Sequence, residues 1–141
     1  MFWQVDMDGV SVDSQPTLAK SSVIIDSGKS FVIISDPDQL QISVAIEGAQ
    51  DASRAISPGF FTFPCSSSTP AARLSFGEKP FDMSPHSFNL GTIDNGKNYV
   101  GSIVGRDFRG VADWVVGDRF MLNAYAVFDI VNAQVGSAEL A

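Results

Sequence analysis

The run Val23-Ile24-Ile25-Asp26-Ser27-Gly28 places the tightest limit on what this chain can fold into. Three consecutive β-favouring apolar residues read as a short strand buried on both faces, because a strand with one wet face would alternate. The strand stops at a carboxylate, a hydroxyl and a glycine, which together can turn the backbone sharply. An acid at the end of a buried strand sits where desolvation and fixed hydrogen bonds can tune its protonation. By itself the tripeptide is also an ordinary turn.

The same design recurs at Trp114-Val115-Val116-Gly117-Asp118, an apolar triplet running into a glycine-bearing acidic turn. Buried β proteins often contain such triplets, and the sharper reading of two in 141 residues is an internal pseudo-repeat inside one domain. A chain of that length buries roughly two-thirds of its unfolded surface, and 45% apolar content with 11 Phe supplies the core. The formal charge of −7 disfavours nucleic acid and anionic membranes as partners. No run approaches the ~20 apolar residues of a membrane span, and the N-terminus lacks the basic and apolar regions of a signal peptide. With a single cysteine, Cys65, no internal disulfide is possible.

Along the chain, Trp3, Val5 and Met7 alternate with polar residues toward Asp8-Gly9, which predicts a hairpin turning there into Val10-Ser11-Val12. Asp13-Ser14-Gln15-Pro16 predicts a second turn, and Phe31-Val32-Ile33-Ile34 a second apolar strand after the Asp26 turn. Ser35-Asp36-Pro37-Asp38 offers a capping side chain and an early proline, and predicts a short helix ending by Gly48. Gln50 to Pro58 reads as polar loop, and Phe60 to Cys65 as a strand ended by proline. Short strands follow at Leu74-Ser75-Phe76, Phe81-Asp82-Met83, Tyr99 to Val104, Trp114-Val115-Val116, Tyr125 to Asp129 and Val135 to Ala138. One helical turn is expected after Ser84 and another over Arg119 to Leu122. Arg106-Asp107-Phe108-Arg109-Gly110 reads as a solvated loop. Many short strands with regular turns and little helix predict a mostly β fold of antiparallel sheets, sandwich-like or closed and barrel-like, with one or two short helices.

Other chemistry is poorly represented. His86 has no neighbouring Cys or His with which to hold a metal. Asp6, Asp8 and Asp13 are too dispersed for a calcium loop, and Gly101 to Gly105 lacks the Lys-Ser/Thr of a phosphate loop. No histidine pattern marks Cys65 as a nucleophile.

Taken in order, the landmarks resemble the C-terminal lobe of a pepsin-like, fungal-type aspartic protease. They are Phe2-Trp3-Gln4-Val5 with Asp8-Gly9-Val10, then Ile25-Asp26-Ser27-Gly28, Gly59 to Cys65, Leu74 to Gly77, Phe88 to Gly91, Trp114 to Phe120, Tyr125 to Asp129 and Val135 to Ala138. The resemblance implies a single C-terminal lobe over 1–141, with the N-terminal lobe absent. It further implies that Val115-Val116-Gly117 packs under the Asp26 loop. In that family two lobes each supply one acid to a dyad that hydrolyses peptide bonds with activated water, without metal or cofactor. Asp26 would be one dyad member, Ser27 would hydrogen-bond within the paired loops, and Gly28 would let backbone approach the carboxylate. Phe31 and Ile33 would line the substrate cleft. The implied partners are an N-terminal lobe or a second copy, with a peptide as substrate, and the implied location of the parent enzyme is extracellular or vacuolar.

The chain departs from the family pattern at several places. Lys29 stands where the family has Thr or Ser, and a cation beside Asp26 would favour its ionised form. Tyr99 stands about where Cys65 would find its usual disulfide partner. The usual closing Gly-Phe-Ala reads Gly136-Ser137-Ala138. With Met1 directly before a mid-protein landmark, these departures suggest a lobe cut from a longer chain. Three readings stay open at this point: a protease lobe inactive alone, a catalytically silent β domain serving folding or interaction, and a homodimer joining two Asp26 loops.

Overall fold

The computed structural model describes residues 3–106 and 112–140. In chain order the strands and helices are β1 (Gln4–Met7), β2 (Gly9–Val12), β3 (Gln15–Leu18), β4 (Ser21–Ile25), β5 (Val32–Ile34) and α1 (Asp36–Val44). Then come β6 (Gln50–Asp51), β7 (Phe61–Pro64), β8 (Ala72–Phe76), β9 (Lys79–Asp82), α2 (Pro85–Phe88), β10 (Asn89–Ile93), β11 (Asn98–Gly101) and β12 (Ile103–Gly105). The chain ends with β13 (Trp114–Val116), α3 (Asp118–Met121), β14 (Ala124–Asp129) and β15 (Gln134–Glu139).

The central sheet has the order β1-β4-β13-β5-β12. β4 and β5 are consecutive strands, yet they do not pair, because β13 inserts between them. It runs parallel to β4, with Val23, Ile24 and Ile25 opposite Trp114, Val115 and Val116, and antiparallel to β5. The two apolar triplets that echo each other in sequence are therefore in-register neighbours. Val23, Ile25, Val32, Ile34, Trp114 and Val116 turn one face into the main core. On the other face Ile24, Val115 and Ile33 form a half-buried row, so this sheet is not fully covered on both faces as the continuous apolar runs predict.

α1 begins where the sequence signals place it. Ser35 is the N-cap, its hydroxyl accepting from the Asp38 amide, and Pro37 lies in the first turn. Only Ile42 of this helix is buried, which explains why periodicity is a weaker guide than the cap. Asp38 also accepts a 3.0 Å hydrogen bond from the Trp114 indole, tying the helix start to β13.

Several expectations are corrected. Asp8-Gly9 is not a hairpin turn: β1 pairs with β4, whereas β2 pairs with β3 and β8. The chain instead steps from one sheet to another at Asp8, whose carboxylate accepts from the Glu78 amide. Tyr99 to Val104 is not one strand but two, β11 and β12, which join different sheets on either side of buried Ser102. Within Gln50 to Pro58 the short strand β6 adds to β7. The sheets do not close into a barrel among the described residues, because four separate sheets of five, four, four and two strands keep their own edges. Three helices form rather than one or two, because the single turns expected after Ser84 and near Arg119 both form beside α1, at Pro85–Phe88 and Asp118–Met121. The mostly β, mainly antiparallel architecture stands as expected. Of the Arg106 to Gly110 loop, Arg106 is exposed and residues 107–110 lie outside the described residues, as do Met1 and Phe2.

Candidate active site

Strand β4 delivers Asp26 to the edge of the molecule. Ile25 and Val23 are buried, Asp26 is half-buried, and Ser27, Gly28, Lys29 and Ser30 are all exposed. The sequence predicts a turn here, and the turn is held in three ways. Its own backbone closes through the Lys29 amide donating to the Asp26 carbonyl at 3.2 Å. The Gly28 amide donates to Asp26 Oδ1 at 2.8 Å, which fixes the carboxylate's rotation. A Cβ at position 28 would lie 3.1 Å from that oxygen, so glycine allows the approach without crowding.

The third hold comes from the second apolar triplet. The Asp26 amide donates to the Val116 carbonyl at 3.0 Å, and the Asp118 amide to the Lys29 carbonyl at 2.7 Å. The Arg119 amide reaches the Ser30 carbonyl at 3.2 Å. Gly117 sits directly against the loop, where a Cβ would fall 2.2 Å from the Lys29 carbonyl oxygen and 2.5 Å from that of Phe31. No side chain fits there without displacing backbone. Val115-Val116-Gly117 thus packs under the Asp26 loop, and the sequence echo has a mechanical meaning: one unit carries the acid, the other supports its turn.

The remaining candidates separate. Phe31 meets Phe60 edge-on, with ring centroids 5.8 Å apart, and both belong to a small apolar cluster with Val100 and Val104. Ile33 is on the half-buried second face, between Val104 and Val115 in register. The Ser27 hydroxyl has no hydrogen-bond partner among the described residues. Lys29 and Asp26 form no ion pair there either; what Lys29 contributes to the loop is its backbone.

Cys65 is a free, half-buried thiol. Its strand is held without a disulfide: Tyr99 stands opposite Phe63 across β7 and β11, ring centroids 5.5 Å apart, and the Cys65 amide donates to the Lys97 carbonyl at 3.0 Å. Among the described residues no group of three or more His, Cys, Asp or Glu side chains could hold a metal ion, and no helix is long and apolar enough to cross a membrane.

Sequence reasoning missed the grip of Asp118 and Arg119 on residues 29 and 30. Both act through backbone amides, which carry no side-chain signature. The only available clue was the glycine at 117, whose missing side chain marks a close approach.

An acid on a solvent-facing loop at the end of a central strand, braced by an apolar strand from the far end of the chain, defines a lobe of the pepsin-like type. Comparison with known proteins agrees. The profile described as "Eukaryotic aspartyl protease" matches residues 1–140, and the chain belongs to that family. An "Aspartic protease" of Phaffia rhodozyma is 36% identical over 98% of this chain and 34% of its own length. A "Probable aspartic-type endopeptidase CTSD" of Arthroderma benhamiae is 35% identical over 96% of this chain and 26% of its own. "Cathepsin D" of Homo sapiens is 31% identical over 99% of this chain and 34% of its own. The chain thus spans about a third or less of each of these relatives.

Proposed function

We propose that this chain acts as the C-terminal lobe of a pepsin-like aspartic endopeptidase, supplying Asp26 as one of two catalytic carboxylates. The observation that carries the reading is the Asp26 loop itself. Its carboxylate is oriented by the Gly28 amide and partly open to solvent, and no second carboxylate hydrogen-bonds to it among the described residues. The complementary acid would come from a first lobe, and Phe31 and Ile33 would contribute to this lobe's side of the cleft. The parent enzyme would work in an acidic extracellular or vacuolar space.

The chemistry needs two acids in different protonation states. One, ionised, takes a proton from water as its oxygen attacks the scissile carbonyl carbon. The other, protonated, gives its proton to the carbonyl oxygen, and a tetrahedral diol forms. Collapse restores the carbonyl, breaks the C–N bond and moves a proton to the leaving nitrogen. Two adjacent like charges resist ionising together, which keeps one proton between them. A lone Asp26 lacks the donor half of this exchange. Each lost proton transfer costs roughly 10²–10⁴ in rate.

The chain alone should therefore leave an unfolded protein substrate intact at about pH 3–5. A chimera in which it replaces the matching third of the Phaffia relative should cleave, and Asp26→Ala should reduce that rate by at least about 10²-fold. An active chimera indifferent to Asp26→Ala overturns the assignment of Asp26. Cleavage by the isolated chain that Asp26→Ala abolishes shows that two copies supply the dyad, in place of a first lobe.

A further inference from the structure

The hairpin β14–β15 lies with one face toward the rest of the molecule, and that face is unevenly filled. Phe128, opposite Val135, packs edge-on against Trp3 at 5.3 Å. The next inward pair is Ala126 opposite Ser137, two small side chains where the strands could carry large ones. Ser137 lines a cavity of about 400 Å³. Val5, Ile25, Phe76, Phe81 and Val135 supply its apolar lining. A volume of that order falls in the range of sites for small organic ligands, and an apolar wall lacking contacts on one side gains dispersion energy from any occupant that fits.

The polar groups are few and unequally committed. Asp6 lines the cavity and is matched by Lys20 at 3.3 Å. Lys79 also lines it, but its nearest carboxylate among the described residues, Glu139, is 3.9 Å away, at the outer limit of an ion pair. The Lys79 ammonium lies over the Phe81 ring, 5.8 Å from its centroid, so it overlooks the aromatic wall. The rings of Phe76 and Phe81 are 6.3 Å apart and inclined at 58°, a geometry onto which a third ring can pack at an offset.

We propose that this cavity binds a small aromatic acid of one or two fused rings, its ring against Phe76 and Phe81 and its acid group on Lys79. Ser137 is the residue that leaves the space open. The site is separate from the Asp26 carboxylate and does not depend on its chemistry. It is nonetheless adjacent, because Ile25 forms part of the wall and directly precedes Asp26.

The test uses 1-anilinonaphthalene-8-sulfonate as the aromatic acid and N-phenyl-1-naphthylamine as its uncharged counterpart, with near-UV circular dichroism to confirm native packing. The wild-type chain should bind the sulfonate saturably, one per chain. Ser137→Phe should abolish binding of both probes by filling the cavity. Val135→Phe, which enlarges another residue of the wall, should do so too and serves if Ser137→Phe does not fold. Lys79→Gln should weaken the sulfonate about 2–5-fold, the range of one solvated ion pair, and leave the uncharged probe unaffected. Absence of one-site saturable binding by the native chain overturns the proposal. So does binding that survives in a natively packed Ser137→Phe or Val135→Phe variant, or sulfonate affinity indifferent to Lys79→Gln.

Discussion

The central sheet and the C-terminal hairpin are built from similar residues and meet different fates. In the sheet, Val23, Val32, Ile34, Trp114 and Val116 are almost entirely withdrawn from water. In the hairpin, Tyr125 and Val127 remain 58% and 60% exposed, and Ile130 and Val131 at its tip are more exposed still. Both have short apolar strands, but only the sheet gains strands from distant parts of the sequence. β13 arrives from 80 residues or more beyond β4 and fills the gap between β4 and β5. Among the described residues β14 and β15 pair only with each other. An isolated two-stranded ribbon is marginal in water, so this one depends on Ala124, Phe128 and Val135 resting on the core. Apolar composition makes a strand possible; what covers it decides how much stability it adds.

The difference can be broken most severely in the sheet. Trp114 is fully buried and its indole serves Asp38. Trp114→Ala should cost about 4 kcal/mol in urea unfolding, through the cavity and the unpartnered carboxylate it leaves. A retained midpoint would mean that β13 is not the keystone of this sheet. Gly117→Ala tests the support under the acid loop. Its new methyl group must push aside the Lys29 and Phe31 carbonyls, and the expected loss is about 2 kcal/mol, with amide shifts over residues 26–31. Stability equal to the wild type would show that the loop moves freely away from Gly117.

In the hairpin the effects should be small. Val127→Ser should change stability by no more than about 0.5 kcal/mol, since the side chain is mostly in water already. A much larger loss in the isolated chain would reveal that something covers this face, self-association included, and sedimentation at two concentrations would identify it. The smallest effect concerns the turn. Asp129 is held below its ordinary value, first by the Asn132 side-chain amide and then by the Asn132 backbone amide, with hydrogen bonds of 2.7 and 3.1 Å. Because the folded value is the lower one, these bonds stabilise the hairpin above the ordinary carboxylate value, and their contribution is lost as pH falls through the depressed one. Asn132→Ala should move the Asp129 titration, followed by NMR, upward toward 3.8. An unmoved midpoint would assign the shift to another neighbour.

The sequence by itself determined the strand class, the turn at Asp26, the cap at Ser35 and the recurrence of an apolar triplet before a glycine-bearing acidic turn. These are local matters: consecutive β-branched residues, a hydroxyl before a helix start, glycine beside an acid. It also determined that Cys65 could form no internal disulfide, a matter of counting. Which strands become neighbours was decided only by the tertiary structure. Asp8-Gly9 has the composition of a hairpin turn, yet burial of Met7 and Val10 is better served by sending β1 and β2 into separate sheets. Tyr99 to Val104 is one apolar run whose two halves complete different sheets, so the chain bends at Ser102. The backbone amides of Asp118 and Arg119 hold the acid loop through atoms that every non-proline residue possesses, and no sequence pattern can single them out. The cavity beside Ser137 arises in the same way. A serine is unremarkable until the fold sets it opposite an alanine and in one wall with Phe76 and Phe81, and only packing turns a small side chain into a space.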